Sequence, residues 1–308
     1  MDLYPQRNPL HPANRLSFYL SASRAFLGHL KVAQAALELD AIDVIIGYAI
    51  LHAGVDHLDQ PGGDGRRYAR LDTPPPDESR RPISVSALAR SLSLSRETVR
   101  RRSDHLFERA IVSRDERGLR VTTAFLTTPT YQTIVFSQME PILGFLLKLG
   151  YPDEPEMGDA RAWLDQQAML DRARQFSRIM LRVQLRHYET LARLGGDLHS
   201  GLLLSLILSN AEGEVGQDGA TSRLQLAEAL ALNRESTRRR LVALARSGSV
   251  VRTTAGYRPS SDLLSGAKLE GALADTSLNI RQMVRLLAVH GFVHEPHPAA
   301  GVAGRIAD

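Results

Sequence analysis

The stretch Leu88–Arg102, LARSLSLSRETVRRR, occurs twice: Leu226–Arg240 reads LAEALALNRESTRRR, 138 positions later. Nine of the fifteen residues are identical without a gap. Each copy holds a short helical apolar pattern, a tight polar turn, and a second helix that opens on Arg-Glu and runs into three arginines. An internal repeat of this kind fixes architecture before any other reading, because both copies must be able to build the same unit. A chain of 308 residues has room for about two ordinary domains. One unit per half is the layout that follows.

The flanking sequence divides to match. Residues 1–14, with Pro5, Pro9 and Pro12, read as a flexible arm. Residues 15–151 read as the first domain: helical patterns over Leu16–Leu39 and Ile42–Ala53, Ser84 capping Val85–Ser91, Ser95 capping Arg96–Arg109, a hairpin over Ile111–Thr122, and a closing helix Tyr131–Leu149. Within it, residues 54–82 carry Gly62-Gly63, Pro74-Pro75-Pro76, mixed charge and few apolar anchors, a composition that predicts a disordered loop. Residues 152–159 read as a linker. Residues 160–292 repeat the plan: Ala160–Leu194, Leu198–Ser209, Ser222 capping Arg223–Leu230, Asn233 capping Arg234–Arg246, a hairpin over Val250–Arg258, and Lys268–Val289. Residues 293–308 read as a flexible tail. The expected fold class is mainly α with small β-hairpin wings.

Helix geometry sorts the side chains of the repeated element. At about 100° per residue, Val99, Leu106 and Ala110 fall on one side, as do Leu241, Leu244 and Gly248 in the second copy. Glu97, Thr98 and Arg101 lie opposite, flanked by Arg96, Arg100 and Arg102; their counterparts are Glu235, Ser236, Arg239, Arg234, Arg238 and Arg240. A helix that enters a DNA major groove N-terminus first needs such a face: short polar and Arg side chains for base edges, flanking Arg for phosphates. Arg101 and Arg239 would make the forked contact to guanine, and Glu97 and Glu235 would accept from a cytosine amino group. The same glutamates equally suit simple attraction to a helix N-terminus. An arginine triplet taken alone is a solvated helix face; its recurrence at the same place in the second copy weighs against that. The hairpins carry Arg114, Arg117 and Arg120 in one half and Arg252 and Arg258 in the other. They fit wings that reach phosphates or the minor groove, and equally fit charged hairpin edges kept from aggregating.

Arginine dominates the basic residues; the only lysines are Lys31, Lys148 and Lys268. Codon bias accounts for a global excess but not for the clusters at Arg100–Arg102 and Arg238–Arg240. The formal net charge is only +4, so any footprint on a polyanion must be local.

Ser95-Arg96-Glu97-Thr98-Val99-Arg100, followed by Leu106 and Ile111-Val112, resembles the recognition helix and wing start of winged helix-turn-helix regulators, those of the GntR type in particular. The flanking helices resemble the MarR arrangement, in which N- and C-terminal helices form a dimer. The resemblance implies tandem winged helix-turn-helix domains. It also implies DNA-facing roles for Ser95, Arg96, Thr98 and Arg100, and for Asn233, Arg234, Ser236 and Arg238. Arg102 and Ser103 stand where these families carry small and apolar residues, and Thr237 replaces a core Val, so the resemblance stops short of a subfamily. The expected function is a sequence-specific, double-stranded-DNA-binding transcription regulator, with RNA polymerase or another regulator as a further partner. It would be a single-chain pseudodimer. Differences at Ser95/Asn233, Thr98/Ser236, Val99/Thr237 and Asp104/Val242 would make its two half-sites unequal, about one helical turn apart. Two other readings stay open: a plasmid- or phage-type replication initiator binding origin repeats, and a winged-helix protein-interaction adaptor.

Other chemistries find little support. The chain has no cysteine, which excludes disulfides, thiolate zinc sites and cysteine nucleophiles. Neither a phosphate-binding Gly loop nor GxSxG nor HExxH occurs, so no enzyme and no cofactor are expected. His290, His294, Glu295 and His297 cluster beside Pro296 in the tail, and His52, Asp56, His57 and Asp59 border the loop; neither set is expected to hold a metal. Trp163 and Phe176 read as core or interface. The N-terminus lacks the apolar stretch of a signal peptide, and the run Leu202–Leu208 is far short of the roughly 20 residues that span a bilayer. A cytoplasmic location without a membrane partner is the expectation.

Overall fold

A computed structural model describes residues 15–149, 164–213 and 219–293. The expected arm 1–14, the linker 152–159, Trp163 and the tail beyond Val293 lie outside them. The first half runs α1 (Arg15–Leu37), α2 (Ala41–Val55), α3 (Val85–Ser91), α4 (Arg96–Glu108), β1 (Val112–Asp115), β2 (Gly118–Val121), α5 (Thr123–Leu126), α6 (Pro129–Ser137) and α7 (Met139–Leu149). The second runs α8 (Gln166–Asp171), α9 (Ala173–Gly195), α10 (Leu198–Gly213), α11 (Arg223–Ala229), α12 (Arg234–Arg246), β3 (Val250–Arg252), β4 (Tyr257–Pro259), α13 (Ser261–Leu264) and α14 (Ala267–Val289). The chain is thus mainly helical with two small antiparallel hairpins.

The repeat extends well beyond the fifteen residues that reveal it. At the constant offset of 138, Ser84 and Ser222 cap α3 and α11, and Thr122 and Ser260 cap α5 and α13, each accepting a hydrogen bond from the third residue of its helix. Ser93 and Ala231 share a left-handed backbone, with φ of 52° and 50°, in the turn between the paired helices. Ile83 bridges Leu119, and Thr221 bridges Tyr257, so one residue of the preceding chain is hydrogen-bonded to each hairpin. That bridge explains Gly118 and Gly256, whose φ values are +139° and +152°. A Cβ on Gly118 would lie 2.5 Å from the Ile83 carbonyl oxygen, and one on Gly256 would overlap that of Thr221.

A continuous apolar core runs through both halves. Helix α9 packs on α10, α14 and α2, and α1 packs on α14, α6, α7 and α2, so the long helices of the two halves cover one another. The seam carries polar groups that find partners: His29 Nδ1 meets Gln184 Oε1 at 3.0 Å, Gln184 donates to Tyr188 at 2.6 Å, and Ser23 meets His187 Nε2 at 3.2 Å. Phe176 belongs to the core against Phe292, as expected. The stretch Ala41–Asp59 is long and apolar enough to cross a membrane but is mostly buried inside the fold.

Residues 54–82 depart from the sequence expectation: the segment is folded. Arg178 on α9 is buried, forks onto Asp59, and donates to the carbonyls of Gly65 and Tyr68 at 2.8 and 2.7 Å. Arg174 donates to the carbonyls of Arg70 and Leu71, and the Ala69 carbonyl accepts from the backbone N–H groups of Arg174 and Gln175 at the start of α9. A segment poor in apolar residues is ordered because arginines from the other half satisfy its backbone. In return it caps a helix that has no side-chain cap of its own. Smaller differences follow local causes. Tyr131–Leu149 breaks at Gln138 into α6 and α7, and α9 starts only after a break at Arg172. Ala110 is exposed with φ of 55°, as the residue that ends α4 rather than as part of its buried stripe.

Candidate nucleic-acid interface

Helices α4 and α12 are held by their apolar sides and leave a polar face outward. Val99, Ser103 and Leu106 are buried on α4, and Thr237, Leu241 and Leu244 on α12. The replacement of Val by Thr237 costs little, because its hydroxyl donates to the Asn233 carbonyl at 3.1 Å. Arg96, Glu97, Arg100 and Arg101 are exposed, and so are Arg234, Glu235, Arg238 and Arg239. The structure therefore brings together, on one face of each helix, the charged groups that the repeat predicts there.

Their engagement is unequal. Arg100 is clamped by Glu97 at 2.8 Å and by Asp104 at 3.3 Å. Arg238 and Arg239 share one carboxylate, Glu235, at 2.7 and 3.0 Å. Hydrogen bonds from both guanidinium groups hold Glu235 down to about 2, and that from Arg100 lowers Glu97 below the usual carboxylate range. Arg96, Arg101 and Arg234 make no hydrogen bond or ion pair among the described residues. These glutamates sit in the first helical turn yet bind arginines, so each acts as a local brake on its own basic cluster.

The cap residues have prior commitments. The Ser95 hydroxyl accepts from the Thr98 N–H at 3.1 Å and bonds the Thr98 hydroxyl at 2.8 Å. Asn233 Oδ1 accepts from the N–H groups of Glu235 and Ser236, which leaves its amide nitrogen as the group able to donate outward. Ser236 accepts from Arg240 at 3.2 Å.

Three expected DNA-facing arginines turn inward instead. Arg102 sits three residues after buried Val99, about 60° round the helix, and so faces α2. There it pairs with Asp40, the cap of α2, and with Asp43 at 3.0 Å. Arg240 repeats this contact toward Asp197 at the start of α10, at 3.4 Å. The third arginine of each triplet thus anchors its helix to the preceding long helix. Arg120 is also withdrawn: it pairs with Asp115 and donates to the Arg80 carbonyl at 3.2 Å. Arg117 at the hairpin tip is exposed, 3.8 Å from Asp115, and Arg252 and Arg258 are exposed without an ion-pair partner among the described residues. Asp40 and Asp197 are the positioning residues that the motif does not reveal; the signal was an aspartate just before each second helix.

The two surfaces also differ in charge. Residues 95–122 hold eight arginines and five carboxylates, whereas the aligned 233–260 hold seven arginines and one, giving formal charges of +3 and +6. Asp104, whose carboxylate holds Arg114 at 2.7 Å as well as Arg100, is Val242 in the second copy. No group of acidic and histidine side chains able to hold a metal occurs among the described residues. His294, Glu295 and His297 lie outside them; Asp56 and Asp59 are taken by Arg182 and Arg178. No family model matches this chain, and neither does any curated protein or solved structure.

Proposed function

We propose that the chain is a sequence-specific double-stranded-DNA-binding transcription regulator made of two winged helix-turn-helix units in one polypeptide. The observation that carries this reading is the exposure, at equivalent positions of two equivalent helices, of Arg96/Arg234, Arg100/Arg238 and Arg101/Arg239. Each helix would enter a major groove with its capped N-terminus leading. Arg101 and Arg239 would fork onto guanine, while Arg102 and Arg240 set the angle of the helix from behind. Forming the contact requires Glu97 and Glu235 to release or share their arginines. Phosphates do this well and weakly polar surfaces do not, so nonspecific adhesion is restrained. The hairpins would place Arg117, Arg252 and Arg258 against the backbone.

Selection from a pool of randomised duplexes, followed by footprinting, tests the reading. The expected outcome is an enriched site with two related, unequal half-sites whose centres lie about one helical turn apart, 10–10.5 bp. Failure to retain any duplex at low salt would overturn it. A genome-wide binding map in which the sites form a single repeat array would favour replication initiation over promoter regulation.

A further inference from the structure

A cavity lies between α2, α6, the inner end of α4, the base of the first hairpin and α9; it leaves about 40 Å³ for the centre of a water-sized sphere and opens partly to solvent. Its walls are apolar, with Leu106 from α4 and Ile111 and Val121 from either end of the hairpin among them. The reason for the space is legible by comparing the halves. The capping aspartates Asp40 and Asp197 align α2 with α10, and that alignment sets Gly47 against Leu204. Leu204 is fully buried. At Gly47 an added Cβ would meet only the Leu106 side chain, at 3.9 Å, so no neighbour forbids a side chain there. Glycine in the middle of a helix is destabilising relative to alanine, and here nothing in the backbone requires it.

Two buried acceptors border the cavity. Asp43 and Gln138 both line it, are 1% and 2% exposed, and have one oxygen each, Asp43 Oδ1 and Gln138 Oε1, without a hydrogen-bond partner. Unmet buried acceptors are costly. The charges around them do not balance either. Asp40 and Asp43 bring two carboxylates, facing one permanent cation, Arg102, and the imidazole of His105, whose Nδ1 lies 2.9 Å from Asp43. The two carboxylates outnumber the one permanent cation. Burial and the neighbouring Asp40 push the Asp43 carboxyl upward, the direction expected of an anion short of a counter-ion.

We propose that this cavity binds a small amine with an apolar body, the body filling the space that Gly47 leaves and the ammonium donating to Asp43. Hydrocarbons without a donor leave both acceptors unmet, and an anion would lie against the Asp43 carboxylate, so the site discriminates by charge as well as by shape. The occupant touches the anchor of α4 directly, because Asp43 Oδ2 is the atom that holds Arg102 and His105. Binding is a property of the pocket alone; only its consequence for nucleic acid rests on the proposed function.

Calorimetric titration of the full chain with 2-phenylethylamine, with phenylacetate and with propylbenzene, in the absence of DNA, tests the site. The expected result is saturable one-to-one binding of the amine, and binding at least tenfold weaker for the other two. Gly47→Leu, which copies Leu204, should abolish the amine's binding, and Asp43→Asn should weaken it at least tenfold; circular dichroism checks that each variant is folded. Gly47→Ala, which fits without a clash, should weaken binding if the leucine variant does not fold. Equal binding of amine and phenylacetate, no binding of any probe, or amine binding indifferent to position 47 would each overturn the proposal. A chain that binds the amine but no duplex would remove the proposed function and leave this site standing.

Discussion

Adjacent arginines on one helix have opposite duties. Arg101 is exposed and unpaired, whereas Arg102 faces α2 and pairs with Asp43, whose side chain is 2% exposed. Arg101→Ala should leave the urea midpoint nearly unchanged and cost roughly 1–3 kcal/mol in binding to one half-site. Arg102→Ala should cost about 2–3 kcal/mol of stability, because it strands a buried carboxylate. Stability and affinity measured on both variants check this; a reversed pattern would mean that the two side chains exchange faces in solution. Titration at the seam gives a second prediction. Burial pushes His29 down to about 4 and His187 to about 3, from an ordinary value of 6.5. Between those values and 6.5 the unfolded chain binds more protons than the folded one, so the contribution is complete above pH 6.5 and is lost as pH falls. At about 1.4 kcal/mol per pH unit, each histidine should remove about 2 kcal/mol by pH 5. Urea midpoints at pH 7 and pH 5 measure it, and His29→Asn should reduce the difference; identical midpoints would contradict the assignment.

Among the elements, short ones with strong local chemistry were legible. The caps Ser84, Ser95, Ser222 and Asn233 lie where the sequence puts them, because an oxygen that accepts from the second or third helical N–H acts within a single turn. The hairpins were legible for the same reason. What escaped depends on partners far away in sequence. The inward turn of Arg102, Arg120 and Arg240 is set by Asp40, Arg80 and Asp197, and the order of residues 54–82 by Arg174 and Arg178. A wheel drawn on one helix gives the angle of a side chain but not what waits at that angle. The hairpins supply a test at this scale. Gly118→Ala should cost about 1–3 kcal/mol, from a disfavoured backbone and from overlap with the Ile83 carbonyl, and Gly256→Ala should cost a similar amount. Thermal unfolding checks both; an unchanged midpoint would show that the bridging residue is not fixed to the hairpin.

Seen as a whole, the molecule is a duplicated plan that has become lopsided. The outer surface of the second unit is more basic, and its hairpin arginines Arg252 and Arg258 are unpaired, while Arg117 and Arg120 are tied to Asp115. Removing Arg252 and Arg258 together should therefore reduce the salt dependence of duplex binding by about two counter-ions. Removing Arg117 and Arg120 should reduce it by about one or less. Equilibrium binding over a range of salt concentrations reads the slopes, and equal slopes for the two double variants would show that the units grip the backbone alike.

The Ala69 carbonyl that receives the first N–H groups of α9 has a consequence of another kind. Two copies fresh from a duplication can be exchanged, trimmed or reverted, since each stands by itself. Once an insertion in one copy closes the helix end of the other, neither half is a complete product, and a gene that loses either would encode a chain with an open seam. The two halves can then diverge, but neither can do without the other.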